Sequence, residues 1–163
     1  GLCMYFHSIC SPKSGLFVLT NHLFSSNLVP NIIKVIRGDA SYLEIVGKDY
    51  KTPDGTGIRD YIHISDLVEG HLKALGFMKN NNGCHIWNLG SGKGYSVLEI
   101  VECFELLSNS KIQIEIRDRR EGDLDKYWAN ISKAENALRF VANKDLNSMV
   151  KDTLNFVKLL NDR

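Results

Sequence analysis

The sequence predicts an α/β fold, because short apolar stretches typical of strands alternate along the chain with longer stretches of helical periodicity. Two segments show the contrast clearly. Residues 111–117 alternate isoleucine with polar residues, as a half-buried strand does, and residues 146–160 repeat apolar residues at helical spacing. The composition agrees, since 44% hydrophobic and 24% charged residues are typical of a folded chain and not of a disordered one.

The first third of the chain contains two predicted strands and one predicted helix. Residues 2–6 are a short apolar run, expected to form a strand, and residues 8–26 lack periodicity and are expected to form a long irregular loop. Residues 28–37 carry apolar side chains at helical spacing that stops at a glycine, which predicts a helix. A short strand is expected at residues 43–46, and the turn residues of 48–57 predict a loop.

The middle of the chain predicts a strand, a helix and a second strand. The strand is expected at residues 60–64, and the helix at residues 66–79 with Ser65 or Asp66 as its N-cap. Residues 85–89 are apolar and aromatic, which favours a strand buried on both faces of a parallel sheet.

The last third predicts three helices around the strand of alternating isoleucines. Ser96 and Glu99 have the spacing of a capping box, so a helix is expected from there to residue 107. Ser132 and Glu135 repeat that spacing and predict a short helix. The final amphipathic helix follows at residues 146–160.

Charge and hydropathy argue against two classes of partner. The net charge of +1 lacks the basic excess with which nucleic-acid binders neutralise phosphates, so we expect no nucleic-acid partner. Apolar runs all fall short of the roughly 18 residues that span a bilayer, and the first residues lack the basic start of a signal peptide, so we expect no membrane partner.

The cysteines and histidines give no sign of a metal site. The four cysteines include no CxxC pair, and the five histidines are not spaced as ligands, so we expect no metal. Reduced, mostly buried thiols are the ordinary interpretation, and they favour a cytoplasmic protein.

Residues 90–94 (GSGKG) are a glycine-rich turn between a predicted strand and a predicted helix. Such turns cradle phosphates in some proteins. Here Gly94 follows Lys93 where a Walker motif needs Ser or Thr, and the spacing is GxGxG where a dinucleotide motif needs GxGxxG. A plain turn that requires glycine is therefore favoured over a phosphate site.

Two polar clusters carry arginines. Residues 59–61 (RDY) open a strand, and residues 119–123 (RREGD) follow one and lead to Tyr127. Two guanidinium groups from separate segments suit a diphosphate, because planar forks pair with phosphate oxygens. A surface network of Arg and Asp ion pairs explains the same residues and is the simpler reading from spacing alone.

Four motifs together resemble UDP-glucose 4-epimerases, which are extended short-chain dehydrogenase/reductases. The motifs are DGTGIRDYIH at 54–63, HIWNLGSG at 85–92 with YSVL at 95–98, RREGD at 119–123 with YWA at 127–129, and Asn27-Leu28 with Pro30. They stand in the family's order and resemble only the C-terminal half of its longer chains. The resemblance implies a UDP-glucose or UDP-galactose site here. It also implies NAD bound by an N-terminal Rossmann half that also forms most of the family's homodimer contact.

The resemblance assigns roles around the nucleotide. Arg59 and Arg120 correspond to the arginines that hold the UDP phosphates, and Asp123 to the residue that holds the ribose. Asn27 and Leu28 lie where the family contacts the nucleotide.

The resemblance also implies contacts with the base and the sugar. The strand from Leu43 to Val46 corresponds to the one whose backbone flanks the uracil, with Tyr61 beside that pocket. Tyr127 matches the gate of the sugar pocket, where a bulky residue is associated with UDP-glucose and UDP-galactose and a small one with N-acetyl sugars.

The chain departs from the family in its chemistry. None of its tyrosines has a lysine four residues later, so the catalytic YxxxK pair is absent, and the glycine-rich NAD motif is absent too. We therefore expect no catalytic residue in the chain and assign no cofactor-binding residue. His7 stands in YFHS where the family has the Asn of YFNP, and residues 9–25 do not match the family's loop.

The expected organisation is a divided one. Residues 1–26 would join the missing Rossmann half, and residues 27–163 would form the UDP-sugar-binding region, with strand 85–89 and helix 66–79 packed in the Rossmann sheet. Two alternatives remain: a non-catalytic remnant or interaction module, and another nucleotide-sugar enzyme such as a dehydratase or decarboxylase.

Overall fold

The architecture is α/β, as predicted. A computed structural model describes residues 7–9 and 27–161, and side-chain burial for residues 27–159. The strands are β1 (His7–Ile9), β2 (Leu43–Val46), β3 (Ile58–His63), β4 (Gly94–Ser96) and β5 (Ile114–Arg117). The helices are α1 (Leu28–Ile36), α2 (Ile64–Met78), α3 (Val97–Ser108), α4 (Ser132–Leu138) and α5 (Leu146–Asn161). The strand predicted at 2–6 lies outside the described residues, as does most of the loop predicted at 8–26.

The described strands form two small sheets. In the first, β1 is parallel to β3, with His7 opposite Tyr61, and β4 runs antiparallel on the other side of β3. In the second, β2 and β5 are parallel, with Leu43 opposite Ile114. Since parallel strands end on the same side, the loops after β2 and β5 emerge next to each other.

The larger apolar core lies between α1, β2, α3 and α5. Phe104, Ile32, Ile100, Met149 and Val150 are all fully buried there. The predicted capping box begins α3: Ser96 Oγ accepts from the Glu99 amide, and the Glu99 carboxylate accepts from the Ser96 amide. The predicted amphipathic helix at the end of the chain is α5, which confirms the periodicity of residues 146–160.

A smaller apolar core lies between α2, α4 and the end of residues 85–89. Ile62, Leu89, Leu138 and Phe140 are buried in it. Gly70 permits this packing, because a Cβ there would lie 2.8 Å from Leu89 Cδ1 and 3.1 Å from Phe140 Cε2. We call the two groups the larger core and the smaller core below.

Buried His63 connects the two cores. Its Nδ1 accepts from the Ser65 amide, so Nε2 carries the proton and donates to Asp152 Oδ2 on α5 at 3.2 Å. His63 is thereby the N-cap of α2, and the prediction of Ser65 or Asp66 as the cap is wrong. Asp66 instead accepts from the amides of Asn143 and Lys144, which fixes the chain after α4.

The strand predicted at residues 85–89 does not form. The segment still alternates as a strand does: Leu89 is buried and His85 and Trp87 half-buried, while Ile86 is 72% exposed and Asn88 exposed. His85 and Trp87 stack at 5.3 Å, each edge-to-face with Phe77 of α2. The pattern has the period of a strand, but no described strand lies beside it to pair with its backbone.

Two further predictions need correction. The half-buried strand expected at 111–117 starts only at Ile114, and all four residues of β5 are exposed; Ile112, just before it, is the buried one. The capping box expected from Ser132 and Glu135 does not form, because Ser132 already lies inside α4. Asn130 accepts from the Ser132 amide instead.

Candidate functional site

The RREGD motif follows β5, and the residues just after it, 125–127, lie alongside the beginning of β3. The Ile58 amide donates to the Asp125 carbonyl at 3.0 Å, and the Tyr127 amide donates to the Ile58 carbonyl at 3.1 Å. These backbone bonds bring the two predicted polar clusters, far apart in sequence, side by side.

Arg59 lies against Tyr127. Its guanidinium carbon is 5.2 Å from the Tyr127 ring centroid, and Nη1 donates to the Ile58 carbonyl at 2.9 Å. Gly57 leaves room for this conformation, because a Cβ there would lie 3.2 Å from Nη1. The predicted phosphate arginine and the predicted sugar gate are therefore in direct contact, a cation–π pair.

Tyr61 lies close enough to Arg59 and Tyr127 for both to influence its hydroxyl. It is 5% exposed, and burial raises its pKa to about 12; the charge of Tyr127 acts in the same direction and that of Arg59 opposes it. The hydroxyl of Tyr61 thus stays protonated at neutral pH and acts only as a neutral hydrogen-bonding group.

Asp123 is held by Tyr50 and Arg119, two residues that sequence reasoning missed. The buried Tyr50 donates its hydroxyl to Asp123 Oδ2 at 3.1 Å. The Arg119 guanidinium lies 4.2 Å from the Tyr50 ring centroid, donates to the Asp123 carbonyl at 2.5 Å, and pairs with Asp125 at 3.0 Å. The two loops that meet here leave the carboxyl ends of parallel strands β2 and β5, where α/β proteins bind ligands.

Arg120, beside Arg119, has a different environment. It is exposed, and within the described part of the chain its side chain forms no hydrogen bond or ion pair; its carbonyl accepts from the Asp123 amide at 3.3 Å. Arg119 fits the ion-pair interpretation of RREGD, because it pairs with Asp125. Arg120 does not fit that interpretation.

The remaining predicted nucleotide contacts lie on α1 and β2. Asn27 is the exposed N-cap residue of α1, and Leu28 begins the helix and packs against the larger core. The side chain of Leu43 is buried and that of Val46 half-buried. Among the described strands β2 pairs only with β5, so its second backbone edge has no strand beside it.

The glycine-rich turn at 90–94 is filled by Asp60. The Asp60 carboxylate accepts from the Ser91 amide, the Ser91 hydroxyl, the Gly92 amide and the Ala129 amide at 2.6–3.3 Å. A Cβ on Gly90 would collide with Asp60 Oδ2. Since the chain's own carboxylate occupies these donors, the turn has the structural role that the sequence favoured over phosphate binding.

Asp54 fixes the loop that precedes β3. It accepts from the amide and hydroxyl of Thr56, each at 2.8 Å, and from the hydroxyl of Ser96. Burial raises the pKa of Asp54, but these hydrogen bonds lower it by more, so the net pKa lies below its usual value.

Other features give no second site. No group of three His, Cys, Asp or Glu among the described residues could hold a metal ion, and no described helix is both long and apolar enough to cross a membrane. Of the described cysteines, both are free; Cys103 is buried and Cys84 exposed. An open groove of about 460 Å³ lies along α3 and the start of α5, and none of the predicted site residues lines it.

The fold is that of the C-terminal portion of an extended short-chain dehydrogenase/reductase. The profile of the NAD dependent epimerase/dehydratase family matches residues 5–90, more than half of the chain. The chain therefore belongs to the NAD dependent epimerase/dehydratase family.

Similar proteins are UDP-glucose 4-epimerases. The chain is 43% identical to that of Haemophilus influenzae over 154 residues, covering 94% of this chain and 46% of the relative. It is 42% identical to that of Erwinia amylovora over 152 residues, covering 93% of this chain and 45% of the relative. The chain thus spans about half the length of the relatives it matches.

Solved structures of UDP-glucose 4-epimerases share the fold. One from Stenotrophomonas maltophila, with bound NAD and formylated UDP-arabinopyranose, superimposes with a TM-score of 0.90 at 36% identity. One from Bifidobacterium longum, in complex with NAD+ and UDP, gives 0.88 at 36% identity. Each match covers 97% of this chain and 47% of the other.

Proposed function

We propose that this chain forms the UDP-sugar-binding half of an NAD-dependent UDP-glucose 4-epimerase that interconverts UDP-glucose and UDP-galactose. The observation that carries the proposal is the contact of Arg59 with Tyr127 at the start of β3, on the segment that follows RREGD and its Asp123. Relatives at 42–43% identity that are UDP-glucose 4-epimerases support the choice of reaction.

In the proposed complex, the arginines bind the diphosphate. The Arg120 side chain is exposed and has no partner among the described residues, so its planar guanidinium is free to pair with phosphate oxygens. Arg59, already stacked on Tyr127, supplies the second guanidinium. The half-buried carboxylate of Asp123 accepts from the ribose hydroxyls, as acceptor-only groups do.

The base and the sugar lie on either side of the diphosphate in this proposal. The open backbone edge of β2, from Leu43 to Val46, offers amides and carbonyls to the uracil, with Asn27 and Leu28 nearby in the family's arrangement. Tyr127, 45% exposed, closes the sugar pocket against bulky N-acetyl groups. Tyr61, which the resemblance places beside the uracil pocket, lies near Arg59 and Tyr127.

NAD accepts and returns the hydride in this family's chemistry, and the proposal places it in the other half of the enzyme. That half covers the apolar surface formed by Val68, Leu72 and Leu75 of α2 together with Ile86, which are 48–72% exposed. Residues 85–89 alternate as a strand does but have no pairing partner among the described strands. In this proposal the NAD-binding half supplies the neighbouring strand. On this proposal the smaller core belongs to the NAD-binding domain.

A binding titration tests the proposal directly. UDP is titrated into the 163-residue chain by calorimetry, and Arg120→Ala is expected to weaken binding by about 2–5 kcal/mol, the cost of breaking a charge-assisted pair. Arg37→Ala, an exposed arginine at the end of α1, is the matched control and should change nothing. A loss below about 0.5 kcal/mol for Arg120→Ala would assign RREGD to surface ion pairing alone.

Activity separates the epimerase from a non-catalytic remnant. The chain with added NAD should not interconvert UDP-glucose and UDP-galactose, because no YxxxK pair is present. Adding the separately expressed NAD-binding half of the Haemophilus influenzae relative should restore turnover. Binding of the two halves without turnover would support the remnant instead. A cytoplasmic location, and dimerisation through the other half, stay predictions.

A further inference from the structure

The position of Asp123 depends on a residue outside the proposed set of ligand contacts. Tyr50 is 5% exposed, and its ring packs closely against Gly47, where a Cβ would be 2.4 Å from Cε2. The Arg119 guanidinium also lies against this ring, 4.2 Å from its centroid. These two contacts and the burial fix the ring, so its hydroxyl is a fixed donor.

That donor engages one oxygen of Asp123. The Tyr50 hydroxyl binds Oδ2 at 3.1 Å, while Oδ1 accepts no hydrogen bond from the described residues. Burial, then the hydrogen bond and charge of Asp123, raise the pKa of Tyr50, with Arg119 and Arg59 opposing, so the hydroxyl keeps its proton at neutral pH. The carboxylate is thus oriented before any ligand arrives.

We propose that Tyr50, packed against Gly47 and Arg119, is a positioning residue for the nucleotide: it holds Asp123 by Oδ2 and leaves Oδ1 to accept from the ribose hydroxyls. The proposal rests on the proposed function, because it requires a ribose at Asp123. Its energetic basis is preorganisation, since a carboxylate already fixed loses less rotational freedom on binding. Arg119 contributes by fixing Tyr50 and the Asp123 backbone, in contrast to the ligand role proposed for Arg120.

The test compares two ligands, UDP and 2′,3′-dideoxy-UDP, which lacks the ribose hydroxyls. Tyr50→Phe keeps the ring packed against Gly47 and Arg119 and removes only the hydroxyl. We expect it to weaken UDP binding about 3- to 10-fold, the range of a single hydrogen bond. Binding of dideoxy-UDP should change less than about 2-fold, and this also reports that the variant is folded. Tyr42→Phe, which alters an exposed tyrosine, is the control and should affect neither ligand.

A double-mutant cycle with Asp123→Ala completes the experiment. In the Asp123→Ala background, Tyr50→Phe should have no further effect on UDP, because the group that it positions is gone. Equal losses for both ligands, or the full loss in the Asp123→Ala background, would reduce Tyr50 to a structural role. Failure of UDP and dideoxy-UDP to bind the unaltered chain would overturn the proposed function, and the positioning role with it.

Discussion

Helices α3 and α2 differ in what covers their apolar faces. On α3, Ile100 and Phe104 are fully buried against α1 and α5. On α2, the buried residues are Asp66 and Gly70, while Val68, Leu72 and Leu75 are 48–63% exposed. Both helices are amphipathic. The apolar face of α3 is covered by described residues as far as Phe104, and only Leu106 and Leu107 near the end of α3 are exposed.

The difference shows which of the two cores is closed by the described residues themselves. The larger core closes between elements of this chain, so the free energy of burial is gained without a partner. The smaller core buries Phe140 and Leu89 on one side of α2 and leaves an apolar surface on the other. Surfaces of this kind mark missing partners, which agrees with a chain that covers about half the length of its relatives.

The largest expected effect distinguishes the two cores directly. Phe104→Ala should lower the free energy of unfolding by about 3–5 kcal/mol, because a fully buried phenyl ring is replaced by a cavity. Phe140→Ala, equally buried but in the smaller core, is the matched variant. Urea unfolding measures the loss of stability in Phe104→Ala. Hydrogen exchange on Phe140→Ala should show that α2 and α4 lose protection while α3 and α5 stay protected. Equal loss of protection everywhere would mean that the two cores unfold together.

A smaller loss of stability is expected at Asp60, whose carboxylate joins β3 to the turn at 90–94 and to Ala129. Asp60→Asn should cost about 1–3 kcal/mol, because the amide cannot accept from all four donors of residues 91, 92 and 129. Thermal unfolding measures the loss. Asp39→Asn, an exposed carboxylate paired with Arg37, should be neutral by comparison. A neutral Asp60→Asn would contradict the anchoring role.

Acid should weaken the loop that precedes β3. The pKa of Asp54 lies below its ordinary value of 3.8, so its stabilisation is present above that pH and is lost as pH falls through the lower, folded value. Asp54→Asn should cost about 1 kcal/mol at pH 7, and the difference from the unaltered chain should shrink as the pH falls below 3.8. Urea unfolding across the acid range measures this. A difference that stays constant with pH would show that the charge of Asp54 is not what holds the loop.

The smallest effect on stability is expected on the exposed face of α2. Leu72→Glu should change the free energy of unfolding by less than about 0.5 kcal/mol, because the side chain is 63% exposed. The same substitution should abolish complementation by the NAD-binding half of a relative. Leu159→Glu, 57% exposed on α5, is the control and should preserve complementation. If both variants complement equally well, the α2 face is not the contact.

Local patterns predicted the elements whose causes are local. The capping box of Ser96 and Glu99 and the bounds of β2 could be predicted because a few neighbouring residues determine them. Residues 85–89 could not, since a strand needs a partner and sequence periodicity does not say whether one is present. The role of His63 as the N-cap of α2 was not predicted, because histidine is not a typical capping residue.

The site residues were predicted by resemblance, and their roles stay predictions. Resemblance pointed to Arg59, Asp123 and Tyr127; in the structure Arg59 contacts Tyr127, and Asp123 lies on the segment leading to it. Tyr50 carried no recognisable signal, because its contact with Asp123 joins residues 73 positions apart. Arg119 and Arg120 are adjacent arginines that the sequence alone does not distinguish. In the structure Arg119 pairs with Asp125, and the Arg120 side chain is exposed.

The contact between Arg59 and Tyr127 has a consequence for how such a site changes during evolution. Under the proposed roles, shrinking Tyr127 admits larger sugars and also removes the aromatic face on which the phosphate arginine lies. A change that broadens the range of sugars then weakens binding of the diphosphate. A lineage that gains the first must restore the second with a new support for Arg59, so a substitution of Tyr127 should arise together with one at a residue beside Arg59.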